Sequence, residues 1–561
     1  MADRVRVWAP RASRIEVVRK SGSTPAVAQR GGWWLGPMLA PDEDYQISMD
    51  GGPPRPDPRS RYQPDGVHGV SRWIDPRGLA PSPLVRHVAL RDAVIYELHI
   101  GTFSEAGTFH GAVEHLDKLV ELGITHVELL PINQFPGKHG WGYDGVGLYA
   151  AHAAYGGPAG LRQLISQCHA RGLAVLIDVV HNHFGPEGAY FDELGPYHTK
   201  EHATPWGPAI NLDREGSAEV RAFMIDSALA WLRDYGADGL RLDALHALRD
   251  LGELHFVSEL TEAVRELEVE LHRPLILIGE WDEHDPRAVA ARSANGWGLD
   301  AHWNDDFHHA VHALLTREHT GYYQDFAGSS ALGKILCGGY ALDGCHSPFR
   351  GKPHGRPFGD LPRDRLVAYV QSHDQVGNRA AGERLSHLAG IERAKIGAAL
   401  LLTSPFVPML FQGEEWAAST PFCFFNDLAS EELRAAVREG RKREHGFSDY
   451  TDRIPDPTDP ATRDSSVLRW AERGQGEHAE MLSWYRALIA LRREQPALSD
   501  PAPASIEVRS RDGAIEIKRG SFRVVANLTD AAFPVEGEVI LASKEITAAG
   551  LASQSCAILR R

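Results

Sequence analysis

Four short clusters carry acids and bases where chemistry could use them: Asp178, His181, Asn182 and His183 in DVVHNH, Arg241 and Asp243 in GLRLDAL, Glu280 in LILIGEW, and His373 and Asp374 in QSHDQ. Each closes a short apolar run, so the polar groups stand at the end of an element rather than inside it. One Asp in such a place is commonly a helix cap or a turn former. Four clusters together need another explanation. Retaining cleavage of a glycosidic bond takes one ionised carboxylate as nucleophile and one protonated carboxyl as acid, about 5 to 5.5 Å apart. Asp243 and Glu280 are the pair expected to meet that requirement. Arg241, two residues before Asp243, projects to the same side of a strand, where its cation would hold Asp243 ionised. Glu280 follows LILIG, and partial burial would raise its carboxyl towards the range of a working acid.

For these groups to converge, the runs that carry them must be strands with a common end. From residue 93 onward the apolar runs AVIYELHI, THVELLPI, LAVLIDVV, GLRLDAL, LILIGEW, AHWND, LVAYVQSHD and VPMLFQG alternate with amphipathic segments. This is the pattern of repeated β-α units. Eight of them predict a closed (β/α)8 TIM barrel, whose strands bring their C-terminal ends to one mouth. In PAGLRQLISQCHARG, Leu161, Leu164, Ile165 and Cys168 fall at i, i+3, i+4 and i+7, which predicts a helix on the outside of the barrel. Val220, Phe223, Ser227 or Ala228 and Trp231 do the same in SAEVRAFMIDSALAWLRDYG. Residues 184–212 are rich in Gly, Pro, His and Tyr without a period, and are expected to form a long loop over the mouth.

Val5, Val7, Ile15 and Val17 alternate with polar residues, the period of short strands, and the stretch 51–83 is too poor in apolar residues to form a core. After LSWYRALIALRRE and Pro496 the alternation returns, with an Asp512-Gly513 turn. The expected architecture is multidomain α/β plus β. Residues 1–87 form an N-terminal β-sandwich and linker, 88–497 the barrel with its excursion at about 184–212, and 498–561 a C-terminal β-domain.

The bulk numbers narrow the partners. Lys and Arg total 59 against 75 Asp and Glu, a net charge of −16, which works against nucleic acid or an anionic membrane and leaves a neutral substrate as the expectation. Cys168, Cys337, Cys345, Cys423 and Cys556 are odd in number and contain no C-x-x-C pair, as expected of free thiols in a reducing compartment. Neither the first residues nor any later run reads as a signal peptide or a bilayer span, so a cytoplasmic location is expected.

In their order along the chain, DVVHNH, GLRLDALH, GEW and SHDQVGN resemble the four short motifs of the α-amylase family of glycoside hydrolases, and the resemblance extends to the β-domains on either side. It implies that Asp243 is the nucleophile, Glu280 the general acid and base, and Asp374 the carboxylate that holds the distorted sugar. It also implies that His183 and His373 hydrogen-bond the sugar at the cleavage point, that Tyr143 of WGYD stacks on its ring, and that Arg241 supports Asp243 with Asp178 bound to Arg241 from below. Gln375 and Asn378 in the fourth motif are further candidate substrate contacts.

Five longer stretches, ELHIGTFSEAGTF, VVHNHFGPEGAYF, WNDDFHHAVH, QSHDQVGNR and FQGEEWAASTPFCFF, are similar to one branch of that family. Its members cut the α-1,4 bond beside the terminal trehalose of maltooligosyltrehalose, which would make this and related α-glucans the substrates, with no cofactor and no metal. Asp305, Asp306, Phe307, His308 and His309 offer acceptors, a ring and donors for a sugar, although neighbours on one element cannot all face it. His246, three residues after the nucleophile, is expected against the leaving-group sugar, and Trp281 follows the acid where many relatives carry a small polar residue. Three rivals stand beside this reading. The His181-Asn-His183 pair suits a metal-dependent hydrolase, though Arg241 would repel the cation. A non-catalytic glucan-binding protein should lack one of the three carboxylates. A branching or debranching enzyme would share the covalent intermediate and differ only in what attacks it.

Overall fold

The computed structural model describes residues 4–79, 88–445 and 454–560. The eight apolar runs become β1 (Ile95–Leu98), β2 (His126–Leu129), β3 (Ala174–Val179), β4 (Gly239–Leu242), β5 (Ile276–Gly279), β6 (Ala301–Trp303), β7 (Leu366–Tyr369) and β8 (Val407–Phe411). Each pairs in parallel with the next, and β8 returns to β1 to close the barrel. Every residue of these strands is buried, as a sheet with both faces covered requires. Ile95, Leu176, Ile278, Val367 and Met409 fill the interior. The β3–β4 register sets Asp178 opposite Arg241, and this pairing positions the site.

Helix α1 (Gly157–Ala170) buries Leu161, Leu164, Ile165 and Cys168, and α2 (Ser217–Arg233) buries Val220, Phe223, Ser227, Ala228 and Trp231. Both faces are the ones their periodicity predicts. The excursion at 184–212 differs from the expected loop. It holds a short helix, Phe191–Leu194, and an antiparallel hairpin of His198–Thr204 with Gly207–Ile210. Only Thr199 of the first hairpin strand is buried, so no apolar alternation marks it in the sequence. The base is anchored instead by aromatic contacts, Phe184 stacking on Phe191 at 4.0 Å.

The N-terminal residues form two sheets, one of Arg4–Trp8, Trp33–Met38 and Val27–Ala28, the other of Gly22–Pro25, Ile15–Arg19, Asp44–Met49 and Ser71–Arg72. They face each other across Val5 and Val17, so closely that a Cβ at Gly36 would lie 2.8 Å from Val17. Residues 51–79 are not a free linker. Ser71–Arg72 pairs with the second sheet, Asp57 accepts a hydrogen bond from Tyr45 at 2.8 Å, and Arg59 reaches Asp226 of α2 at 2.8 Å. Polar staples hold this stretch, which apolar content alone does not reveal. The expected boundary near residue 87 lies outside the described residues. At the other end, Ile506–Arg511, Ala514–Arg519, Phe522–Asn527, Ser555–Arg560 and Glu538–Ala542 form a five-stranded antiparallel sheet. Its first turn is made by Asp512 and Gly513, both at positive φ (49° and 80°), as a two-residue hairpin demands. Among the described residues no helix is long and apolar enough to cross a membrane.

Candidate active site

The site is organised by one guanidinium. Arg241 is buried in the barrel with its charge 4.2 Å from the indole of Trp303. Its Nη1 donates to Asp178 Oδ2 at 2.8 Å and to Asp243 Oδ1 at 2.7 Å, and its Nη2 donates to Glu280 Oε2 at 2.8 Å. Acids from the ends of β3, β4 and β5 are thereby tied to a single cation. The second Asp243 oxygen accepts from Asn182 Nδ2 at 2.6 Å, and Glu280 Oε2 also accepts from the Ala244 N–H at 2.8 Å. Ala244 reaches that position with a φ of 41°, a left-handed conformation that costs a non-glycine residue energy and aims its N–H at the acid.

Burial works to raise Asp243, Glu280 and Asp178 alike, and the neighbours decide the outcome for each. For Asp243 the Arg241 cation, the Asn182 hydrogen bond and His183 outweigh burial and hold it below the ordinary aspartate range. For Glu280 burial prevails over Arg241, and the charges of Asp243, Asp374 and Asp305 add to it, so its carboxyl stands well above the ordinary range. Burial likewise carries Asp178 to about 6 against the pull of Arg241. Two neighbouring carboxyls driven in opposite directions make one a ready base or nucleophile and the other a ready acid.

Around this centre, Tyr143 donates its hydroxyl proton to Asp178 Oδ2 at 2.7 Å and stands 2.8 Å from His373 Nε2. His373 is braced from behind by Glu97 of β1, which accepts its backbone N–H at 2.9 Å and pairs with Nδ1, and this partner outweighs burial and raises the imidazole. Asp374 accepts from Asn378 Nδ2 at 2.6 Å, and Arg441 of α4 (Glu431–His445) donates to Asn378 Oδ1 at 2.7 Å. His183 stacks on Trp206 of the excursion hairpin at 4.8 Å. These groups line a cavity of about 540 Å³. A larger cleft of about 820 Å³ lies between the N-terminal sheets and α2. Of its acids, Asp226 and Asp234 are taken up in ion pairs with Arg59 and Arg61, Asp57 accepts from Tyr45 and Glu219 from Trp33, so size alone does not mark the chemistry.

Tyr143, His183, Arg241, Asp243, His246, Glu280, His373, Asp374 and Asn378 share that cavity, and Asp178 lies beneath it on Arg241. The cluster in WNDDFHH is divided, because α3 (Asp305–Thr316) begins there and a helix turns successive residues to different sides. Phe307 packs on Phe406 in the core, His308 is held by the Val370 carbonyl at 2.6 Å, and Asp306 pairs with His284 at 2.8 Å. None of the three lines the cavity. Asp305, which accepts from the Tyr369 hydroxyl, His309, which packs against Tyr322, and Gln375, engaged with Ser372, stand outside the cavity lining as well. His181 and His183 part company: His181 lies against Phe256 and borders a separate small void with Asp178 and Trp231, which removes the metal-ligand pair the spacing suggested. Trp281 stacks on Trp297 at 4.1 Å and does not line the cavity, so the bulky residue after the acid does not narrow it. Trp206, Phe424, Phe425 and Arg441 line the cavity and escape the sequence reading. FCFF and a lone Trp in a polar stretch were visible signals for the aromatics; Arg441 has none.

A closed (β/α)8 barrel with this constellation at the strand ends defines a glycoside hydrolase of the α-amylase class, and residues 91–206 match the family profile described as alpha amylase, catalytic domain. A malto-oligosyltrehalose trehalohydrolase from Arthrobacter ramosus is 47% identical over 98% of this chain and 97% of its own. One from Mycobacterium tuberculosis is 45% identical over 99% and 98%. A crystal structure described as a putative alpha amylase from Salmonella typhimurium superposes with a TM-score of 0.91 at 36% identity, covering 100% of this chain and 97% of that one. The chain belongs to the malto-oligosyltrehalose trehalohydrolase family.

Proposed function

We propose that the protein is a retaining hydrolase that cuts the α-1,4 bond next to the terminal trehalose of maltooligosyltrehalose, releasing trehalose and a shorter maltooligosaccharide. The observation that carries this reading is the Arg241 guanidinium bound at once to Asp243 and Glu280, with the two carboxyls pushed to opposite protonation states. One cation in contact with both supports the short spacing of a retaining pair rather than the roughly 6.5–9.5 Å of an inverting one. Asp243 attacks the anomeric carbon as Glu280 gives its proton to the departing oxygen. Glu280 then takes a proton from the water that opens the glycosyl ester. Asp374 and the hydrogen-bonding pair His183 and His373 hold the sugar ring as it flattens. The relatives' names supply the trehalose, and five free thiols agree with a cytoplasmic setting.

Trehalose-capped maltotriose and plain maltopentaose of equal length test it. A site whose polar groups are matched to trehalose leaves some unpaired on the plain glucan at about 1–3 kcal/mol each, so kcat/KM should favour the capped substrate by about two powers of ten. Free trehalose and a new α-configured reducing end should appear. Equal rates on both would sink the trehalose assignment. α-1,6 branches as the main product would turn the reading towards a branching enzyme.

A further inference from the structure

Beside the carboxylates, three titratable side chains from three separate elements meet out of reach of the cavity. His284 lies in the segment after β5, Asp306 in the first turn of α3, and His354 in the second strand of the hairpin Asp343–Ser347/Lys352–Gly355. All three are buried. His284 Nε2 contacts Asp306 Oδ1 at 2.8 Å, and its Nδ1 faces His354 Nε2 at 2.9 Å, which also stands 2.8 Å from the Asp282 carbonyl oxygen. Asp306 Oδ2 accepts the Ala341 and Leu342 N–H groups at 2.6 and 3.1 Å, at the entry to the hairpin. The Arg356 N–H donates to the His284 carbonyl at 2.9 Å, and a Cβ on Gly355 (φ 77°) would lie 1.9 Å from Leu342 O and 3.0 Å from His284 Cβ. The hairpin is therefore seated directly on His284. Its turn carries Arg350, whose Nη2 donates to Asp282 Oδ1 at 2.6 Å, two residues beyond Glu280.

We infer that His284 is a positioning residue for the leaving-group side of the site, locking the 343–355 hairpin to α3 and to the segment that carries Glu280. The sugar on that side is the trehalose of the proposed function, and the inference rests on that reading for its identity. Burial works against a charge on His284, but Asp306 outweighs it and raises the imidazole to about 9, while Asp306 is held at about 2. Other groups face the pair: Asp282, Asp305 and His309 by their charges, and Tyr340 edge-on to the His284 ring at 5.3 Å. The pair remains charged between those limits, as a fixed lock requires. Asp282, His284 and His354 also offer ligand atoms within 4.8 Å of one another, the spacing of a cation site. Yet Arg350 already occupies Asp282, and Asp306 occupies the far nitrogen of His284.

Hydrogen exchange over residues 343–355 and steady-state kinetics on trehalose-capped maltotriose test the lock in His284→Leu and His284→Gln. Leucine keeps the bulk and loses both ring contacts. Exchange in the hairpin should rise about tenfold and KM about tenfold, with kcat within about threefold of wild type. Glutamine places an amide donor where the Nε2 of His284 meets Asp306, so it should recover most of both. If His284→Leu does not fold, His354→Leu leaves the buried ion pair intact and should give the same pattern. A folded leucine variant with unchanged hairpin exchange, or with kcat lowered as far as KM is raised, overturns the inference. So does activity that falls with a chelator and returns with zinc, which would make the cluster a metal site. Should wild type not prefer the capped substrate, the functional reading fails, while the exchange comparison still decides the lock.

Discussion

At the scale of single residues, the contrast between Asp243 and Glu280 has measurable consequences. Asp243→Asn keeps the hydrogen bond with Asn182 possible but removes the proposed nucleophile, and should lower kcat by many powers of ten at nearly unchanged stability. Glu280→Gln loses the proton donor, a defect that a substrate with an activated leaving group partly repairs. The same substrate should do nothing for Asp243→Asn; equal rescue of the two variants would show the roles to be misassigned. The pH dependence follows from the same shifts. In the proposed mechanism the reactive form has Asp243 ionised and Glu280 protonated. Asp243 is held below its ordinary 3.8, so the acid limb of kcat/KM should fall below that value. Glu280 is raised well above 4.5, so activity should persist past it and decline only as the acid loses its proton. Glu280→Gln should abolish the alkaline limb, and a limb that survives the substitution belongs to another group. Arg241, Asp243, Glu280, His373 and Asp374 were legible in the sequence because each ends an apolar run. Arg441 was not, because it arrives from a helix far along the chain whose own pattern says nothing of Asn378.

The barrel strands show what an element contributes beyond its side chains. Gly279 ends β5 immediately before Glu280, and a Cβ there would come within 2.6 Å of Leu245 and 2.7 Å of Leu299, both flexible leucine ends. Gly279→Ala should therefore fold, at an overpacking cost of about 1–3 kcal/mol. The strand end must shift to admit the methyl, and a misplacement of about 1 Å at the acid can cost about a hundredfold in rate. The expected outcome is a kcat loss far larger than the modest fall in Tm; a variant with full activity would show that β5 does not set the position of Glu280. Elements buried on both faces were the easiest to recognise, since a parallel strand reads as one unbroken apolar run. The hairpin His198–Thr204/Gly207–Ile210 was hidden for the opposite reason. It buries little of its first strand and is held by its aromatic base, so its sequence carries no period of two. In the sequence the segment that opens at Asp305 has the look of a cluster at the mouth, and only the start point of its helix decides that Asp306 and Phe307 turn inward.

On the scale of the whole molecule, the barrel is bound to its companions by different means at its two ends. Residues 51–79 meet it through arginines, Arg59 to Asp226 and Arg61 to Asp234, whereas the C-terminal sheet closes over the helix Ile391–Leu402, with Cys556 buried against the Lys395 carbonyl. The free thiols are distributed across this arrangement: Cys168 is buried in α1 of the barrel, Cys556 in the C-terminal sheet and Cys423 beside the cavity wall, while Cys345 is exposed and Cys337 half-buried. Burial also pushes the Cys556 thiol up to about 12 and Cys168 higher still, so neither reacts until its surroundings open. The chain thus carries its own set of clocks. Under rising denaturant, an alkylating reagent should mark Cys345 at once, and the order in which Cys556 and Cys168 gain mass would tell whether the outer sheet peels away first or the two come apart as one.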